Sequence, residues 1–351
     1  MILLLLACTA KEAPDTGTSP AAQRRVVLAA LAEDVALANY RDLTQATGAL
    51  VTATEAFCAA PDAVTLDAAR DAWWAARAPW KRAELIQFGP TTEQPLRLGP
   101  KMDLWPARVE SIEAILEGDG GFTQADMAAM GGATRGFPPL EWLLWAEGDG
   151  TLDAFAAEPR RCAYAEGLAG DLDALAGQMV TAWEDAWAAR LTDPADHDGD
   201  MYDSAQDVID EWVNRTFFTV ENIRVEKLGK PLGDSSGGEP LPDTLESRYS
   251  ARSLADARDV LDGVVDALAE DHLMALVPAD RDAVPPLVES WQVEAVEALA
   301  AVPEPLEDAI VNDRAAVEAA QEALRGFQVA LQVDLAQALS VTVTFNDNDG
   351  D

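Results

Sequence analysis

The chain has 351 residues, 49% of them apolar, and 62 acidic residues against 25 basic ones leave a formal charge of −37. That is enough apolar material for a large core, and with no basic stripe to neutralise phosphates it excludes nucleic acid as a partner. Ala, Leu, Asp, Glu and Arg dominate and β-branched runs are few, which predicts a mostly helical protein. The acids are spread along the whole chain, as on a solvated surface adapted to salt or one that attracts cations or basic partners.

In chain order, the first feature is Leu5-Leu6-Ala7-Cys8, which resembles a bacterial lipobox. It predicts a lipid anchor on Cys8, hence a membrane partner and a place in the bacterial cell envelope, periplasmic or surface-exposed. The polar stretch from Lys11 to Pro20 reads as a tether. No later segment is apolar for long enough to span a bilayer. Cys58 and Cys162 are the only other cysteines, and two readings stay open for them, a bridge or two buried thiols.

Apolar spacing predicts helices over 21–57 and 62–88, a Pro/Gly-rich connection over 89–106, and short helices over 107–116 and 124–130. Pro138 and Pro139 fall in the first turn of the next helix, where their missing N–H groups cost nothing. Further helices are predicted over 159–190, 205–228, 254–276, 284–301 and 305–339, with strand-like alternation only near 341–345. The break over 192–200 divides the chain into a tether (1–24), an N-terminal helical bundle (25–195) and a C-terminal one (196–351). The predicted fold is all-α, two helical bundles packed together.

Gly136-Phe-Pro-Pro-Leu-Glu141 is similar to the G-x-H-x-x-E signature of the imelysin family, with Pro138 in place of the histidine. The resemblance continues in Trp74-Ala-Ala-Arg77-Ala-Pro-Trp80-Lys-Arg-Ala-Glu84, in Asp103-Leu-Trp105-Pro106 and in Leu245-Glu246-Ser247-Arg248-Tyr249-Ser250. It implies an exported helical protein, often a lipoprotein, linked to iron uptake, with the signature glutamate near the junction of two bundles. The family name also implies a metallopeptidase. A His and a Glu three apart on a helix suit two ligands of one metal, and here only Glu141 remains.

Trp73, Arg77, Lys81 (or Trp80), Glu84 and Phe88 recur along one stripe of the second helix. Charges on such an aromatic face must be paired, either in an internal salt bridge or in a cleft shared with Glu141. Glu141 itself lies in an apolar segment and needs Arg77 or Arg135 as a partner, a metal ion, or a proton. A metal site from Glu141, Glu84 and Asp103 would hold iron or another hard cation, with zinc disfavoured. Glu246 and Arg248 are expected to reach across the bundle junction, and Ser250 or Ser253 to cap the following helix. His197 and His272 have no histidine partner at metal-binding spacing, which excludes a zincin.

The function expected from these residues is a lipid-anchored, non-catalytic binding component tied to iron or metal uptake. Its ligand-binding cleft would comprise Arg77, Glu84, Asp103, Arg135, Glu141, Glu246, Arg248 and Ser250. The rival readings are a metallopeptidase and a surface module that binds an envelope protein.

Overall fold

The computed structural model describes residues 19–197 and 201–344, and no strand occurs among them. Cys8 lies outside the described residues.

Helix α1 spans 20–59 as Pro20–Ala30, a π-helical turn at Leu31–Leu37, and Ala38–Ala59. Helix α2 (Ala63–Arg82) opens on a capping box between Asp62 and Thr65. Helix α3 is Phe137–Trp145, and α4 spans 160–192 as Arg160–Ala182, a π turn at Trp183–Trp187, and Ala188–Thr192. α1 packs on α2 and α4, and α3 lies against both α2 and α4. Leu43, Leu50, Trp73, Leu168 and Trp183 are fully buried between them. A disulfide joins Cys58 at the end of α1 to Cys162 in the first turn of α4, so of the two cysteine readings the bridge forms.

Helix α5 spans 205–232 as Ala205–Asn222, a π turn at Ile223–Gly229, and Lys230–Leu232. Helices α6 (Ser253–Ala267), α7 (Val284–Ala301) and α8 follow; α8 spans 314–338 with a π turn at Ala330–Leu335. α8 packs on α5 and α7, while α6 packs on α5, on α7 and across onto α2. That crossing needs Gly263, where an added Cβ would lie 1.9 Å from the Arg82 carbonyl oxygen. None of the helices among the described residues is long and apolar enough to cross a membrane.

Three predicted helices end differently. The one begun near Asp62 stops at Arg82 and passes through a 3₁₀ turn, Ala83–Leu85, into the connection. The 254–276 helix stops at Ala267, where the Asp266 carbonyl accepts from the Ala269 N–H at 3.3 Å and lies 2.6 Å from the His272 ring, so the last turn is closed locally instead of being continued. The 305–339 helix is two, Leu306–Asn312 and α8, separated at Asp313, a residue type that favours non-helical backbone. The alternating segment at 341–344 forms no strand because its backbone is taken up by α5 side chains. Thr342 N–H donates to Asp210 and Thr344 N–H to Asn214.

Candidate functional site

The site is built outward from α2. Arg77 is 2% exposed, and its guanidinium carbon lies 5.4 Å from the ring centres of both Trp73 and Phe137. Its Nε and Nη2 donate to Asp256 Oδ2 on α6, at 3.2 and 3.0 Å. Its Nη1 lies 2.8 Å from Asp103 Oδ2, close enough to pair the charges but out of line for a hydrogen bond. One turn on, Lys81 Nζ reaches Glu84 and Glu246 at 2.7 Å each and Asp103 at 3.2 Å. Lys227 Nζ, from the π turn of α5, reaches Glu84 at 2.8 Å and Glu246 at 2.6 Å. Trp80 Nε1 donates to Asp103 at 2.9 Å.

Five segments remote in sequence therefore meet in one network in which each buried charge has an opposite partner, as burial demands. Burial works against the charge on Arg77 and Lys81. Asp103 and Asp256 outweigh it at Arg77, and Asp103, Glu246 and Glu84 do so at Lys81, so both stay protonated well above their ordinary ranges. Burial also opposes the charge on Asp103 and Glu246. Arg77 and Lys81 hold Asp103 low nonetheless, and Lys227, Lys81 and Arg77 hold Glu246 well below the usual carboxylate range.

Glu141 belongs to a separate, deeper contact. Gly136 precedes α3 with φ +85°, and a Cβ there would sit 2.1 Å from the Met102 carbonyl oxygen, so glycine lets the Asp103 segment press against the start of α3. Buried on the resulting helix, Glu141 Oε1 accepts from the Ser250 N–H at 2.9 Å and from its hydroxyl at 2.8 Å. Burial raises its pKa from 4.5 to about 7, with Ser250 pulling the other way. Ser250 sits in a turn whose Ser247 (φ +47°) and Ala251 (φ +57°) hold left-handed backbone without being glycine. From that turn Ser247 Oγ donates to Asp256 at 2.5 Å, which links Glu141's partner segment to Arg77.

A cleft of about 1040 Å³ opens beside the network, between the connection after α2 and the exposed side of α5. Glu84, Asp103 and Glu246 line it together with Lys81 and Lys227. Arg77, Glu141 and Ser250 lie outside its lining, Arg77 being tied to it through Asp103. Arg135 is elsewhere, in a bidentate buried pair with Asp171 of α4 at 2.6 and 2.9 Å. Arg248 is part exposed, paired with Asp243 and lying over the ring of Tyr249. Neither Arg77 nor Arg135 bonds Glu141, because each already has a better placed carboxylate. Nor do the serines cap α6: Ser250 donates to Glu141 and Ser253 to the Glu246 carbonyl.

Sequence reasoning missed Lys227, Asp256 and Arg252. Arg252 pairs with Asp256 and, at 2.7 Å, with Asp259. The one available signal for Lys227 was rarity, since the chain has only five lysines.

A peptidase metal centre does not fit these residues. Pro138 offers no ligating nitrogen and Glu141 Oε1 is taken by Ser250. Glu84 is ion-paired with the ammonium groups of Lys81 and Lys227, and Asp103 with Lys81 and the Arg77 guanidinium. Among the described residues no three His, Cys, Asp or Glu side chains are grouped to hold a metal.

The fold and site define a two-bundle, all-α protein with an ion-paired cleft walled by helices from both halves. The chain belongs to the imelysin family: the family model Peptidase M75, Imelysin, matches residues 36–331. It is 25% identical over 320 residues to iron-regulated protein A of Synechococcus elongatus, covering 86% of this chain and 82% of that protein. Two crystal structures share the fold at 20% identity. An iron-regulated protein A precursor from Parabacteroides distasonis superposes with a TM-score of 0.79, over 92% of this chain and 97% of that one. An imelysin-like protein from Psychrobacter arcticum gives 0.78, over 93% and 98%.

Proposed function

We propose that this imelysin-family chain is a non-catalytic binding component of the cell envelope, held by a lipid on Cys8, that serves iron handling through a ligand seated in the cleft. The observation that carries this reading is the charge-paired wall of Lys81, Glu84, Asp103, Lys227 and Glu246 beside an open volume of about 1040 Å³. Such a wall is suited to holding a polar ligand in a fixed orientation, and each of its own three carboxylates is already paired with an ammonium. The iron connection rests on the relative named iron-regulated protein A. The Cys58–Cys162 disulfide supports an oxidising, extracytoplasmic setting.

Trp80 and Trp105 line the cleft, so their emission reports on occupancy. Saturable quenching by some form of iron, free or chelated, is the expected result, and indifference to every form would remove the iron reading. Incorporation of labelled palmitate that disappears in Cys8→Ser tests the anchor separately.

A further inference from the structure

Three of the chain's five lysines, Lys81, Lys227 and Lys230, line the cleft. With Arg97 and Arg215 they match its five acids, Glu84, Glu93, Asp103, Glu226 and Glu246, so the cleft is formally neutral in a chain of charge −37. Against so acidic a surface, a neutral cleft is where an anion meets the least repulsion.

Its cations are not equally engaged. Lys81 and Lys227 are held by Glu84, Asp103 and Glu246, as described above. Arg97 is exposed, with left-handed backbone (φ +41°), and among the described residues its guanidinium has no ion pair. Arg215 is tied to Glu211 through Nε at 2.6 Å, and Lys230 reaches only Glu226 at 3.2 Å while 45% exposed. These three cations remain available to a ligand.

A bare hard cation finds the opposite situation. It needs six or more oxygen ligands, and the buried carboxylates facing the cleft already neutralise Lys81 and Lys227. Glu84, Asp103 and Glu246 are shared among Arg77, Lys81 and Lys227, and withdrawing one for a metal would strip charge compensation from those three cations in the interior. A metal that arrives with its own oxygen donors and a net negative charge leaves those ion pairs intact. The volume admits a group far larger than an ion, and Trp80, Trp105 and Phe218 offer it apolar faces. We infer that, within the iron-handling reading, the cleft takes ferric iron as an anionic oligocarboxylate chelate oriented by Arg97, Arg215 and Lys230.

The test is titration of the purified chain with ferric citrate, citrate alone and anaerobic aqueous ferrous iron, followed by tryptophan emission and calorimetry. The variants are Arg97→Asn, which tolerates left-handed backbone, combined with Arg215→Ala and Lys230→Ala, with Arg325→Ala as a control outside the cleft. All four positions carry exposed or part-exposed side chains, and circular dichroism verifies the folded state. The inference expects saturable ferric citrate binding, weakened about tenfold or more in the triple variant, unchanged in the control, and reduced by salt. Unaltered ferric citrate affinity in the triple variant overturns it. Tight binding of aqueous ferrous iron with exclusion of the chelate also overturns it, yet leaves the iron reading intact. Citrate alone binding as tightly as its ferric complex overturns the chelate and counts against iron as well, and no binding of any probe removes both.

Discussion

Glu141 and Ser250 stand 109 residues apart, yet one carboxylate oxygen accepts both the backbone N–H and the hydroxyl of that serine. The contact joins α3, the helix of the family signature, to the turn that leads into α6. That turn holds two of the four non-glycine residues with left-handed backbone among the described residues, and a third, Arg97, lines the cleft. Strain of this kind persists only where surrounding contacts over-determine it, and here the Glu141–Ser250 and Ser247–Asp256 bonds do so.

The pH dependence of stability should carry the mark of Glu141. Its pKa is about 7 folded and 4.5 in the absence of the fold, so between those values the unfolded chain releases a proton that the folded chain keeps. Stability is therefore lost as pH rises from 4.5 to 7, by about 3 kcal/mol from this group. Glu141→Gln cannot titrate, so the difference in unfolding free energy between variant and parent should move in the variant's favour by about that amount across the window. Urea unfolding at pH 4.5, 6 and 8 measures it, and a difference independent of pH would refute the assignment.

Asp256 is fully buried and accepts from Arg77, Ser247 and Arg252. Asp256→Ala strips two buried guanidinium groups of a partner and should destabilise the chain by about 3–5 kcal/mol. Glu304→Ala, which removes an exposed partner of Arg258, should cost under about 1 kcal/mol. Denaturant midpoints of the two variants compare them directly.

Gly136→Ala should cost more than about 2 kcal/mol, since it combines a left-handed backbone with a backbone clash at Met102. Gly177→Ala, inside α4 with nothing within 4 Å of the added carbon, should instead stabilise by about 0.5–1 kcal/mol. Thermal unfolding monitored by circular dichroism distinguishes the opposite signs.

The Cys58–Cys162 bridge closes a separation of 104 residues. Replacing both cysteines by serine should lower stability by about 2–4 kcal/mol through the freer unfolded chain. Thiol titration of the oxidised protein in denaturant should find neither cysteine reactive until reductant is added.

Much of this protein could be read from its sequence, and the boundary follows the range of the forces involved. Apolar residues spaced at three and four positions specify helices through local geometry, and α1, α2, α4, α5 and α7 start within a residue or two of where that spacing places them. The family signature likewise marked Gly136 and Glu141, and the α2 stripe marked Arg77, Lys81 and Glu84. Partner choice lay beyond it. Glu141 looked for an arginine and met a serine, because Asp256 and Asp171 approach Arg77 and Arg135 from α6 and α4. Lys227 joins the site from a π turn in a helix whose spacing shows only its apolar side. Helical periodicity is written in neighbouring residues, whereas the pairing of buried charges depends on which distant segments the packed bundles bring within about 3 Å.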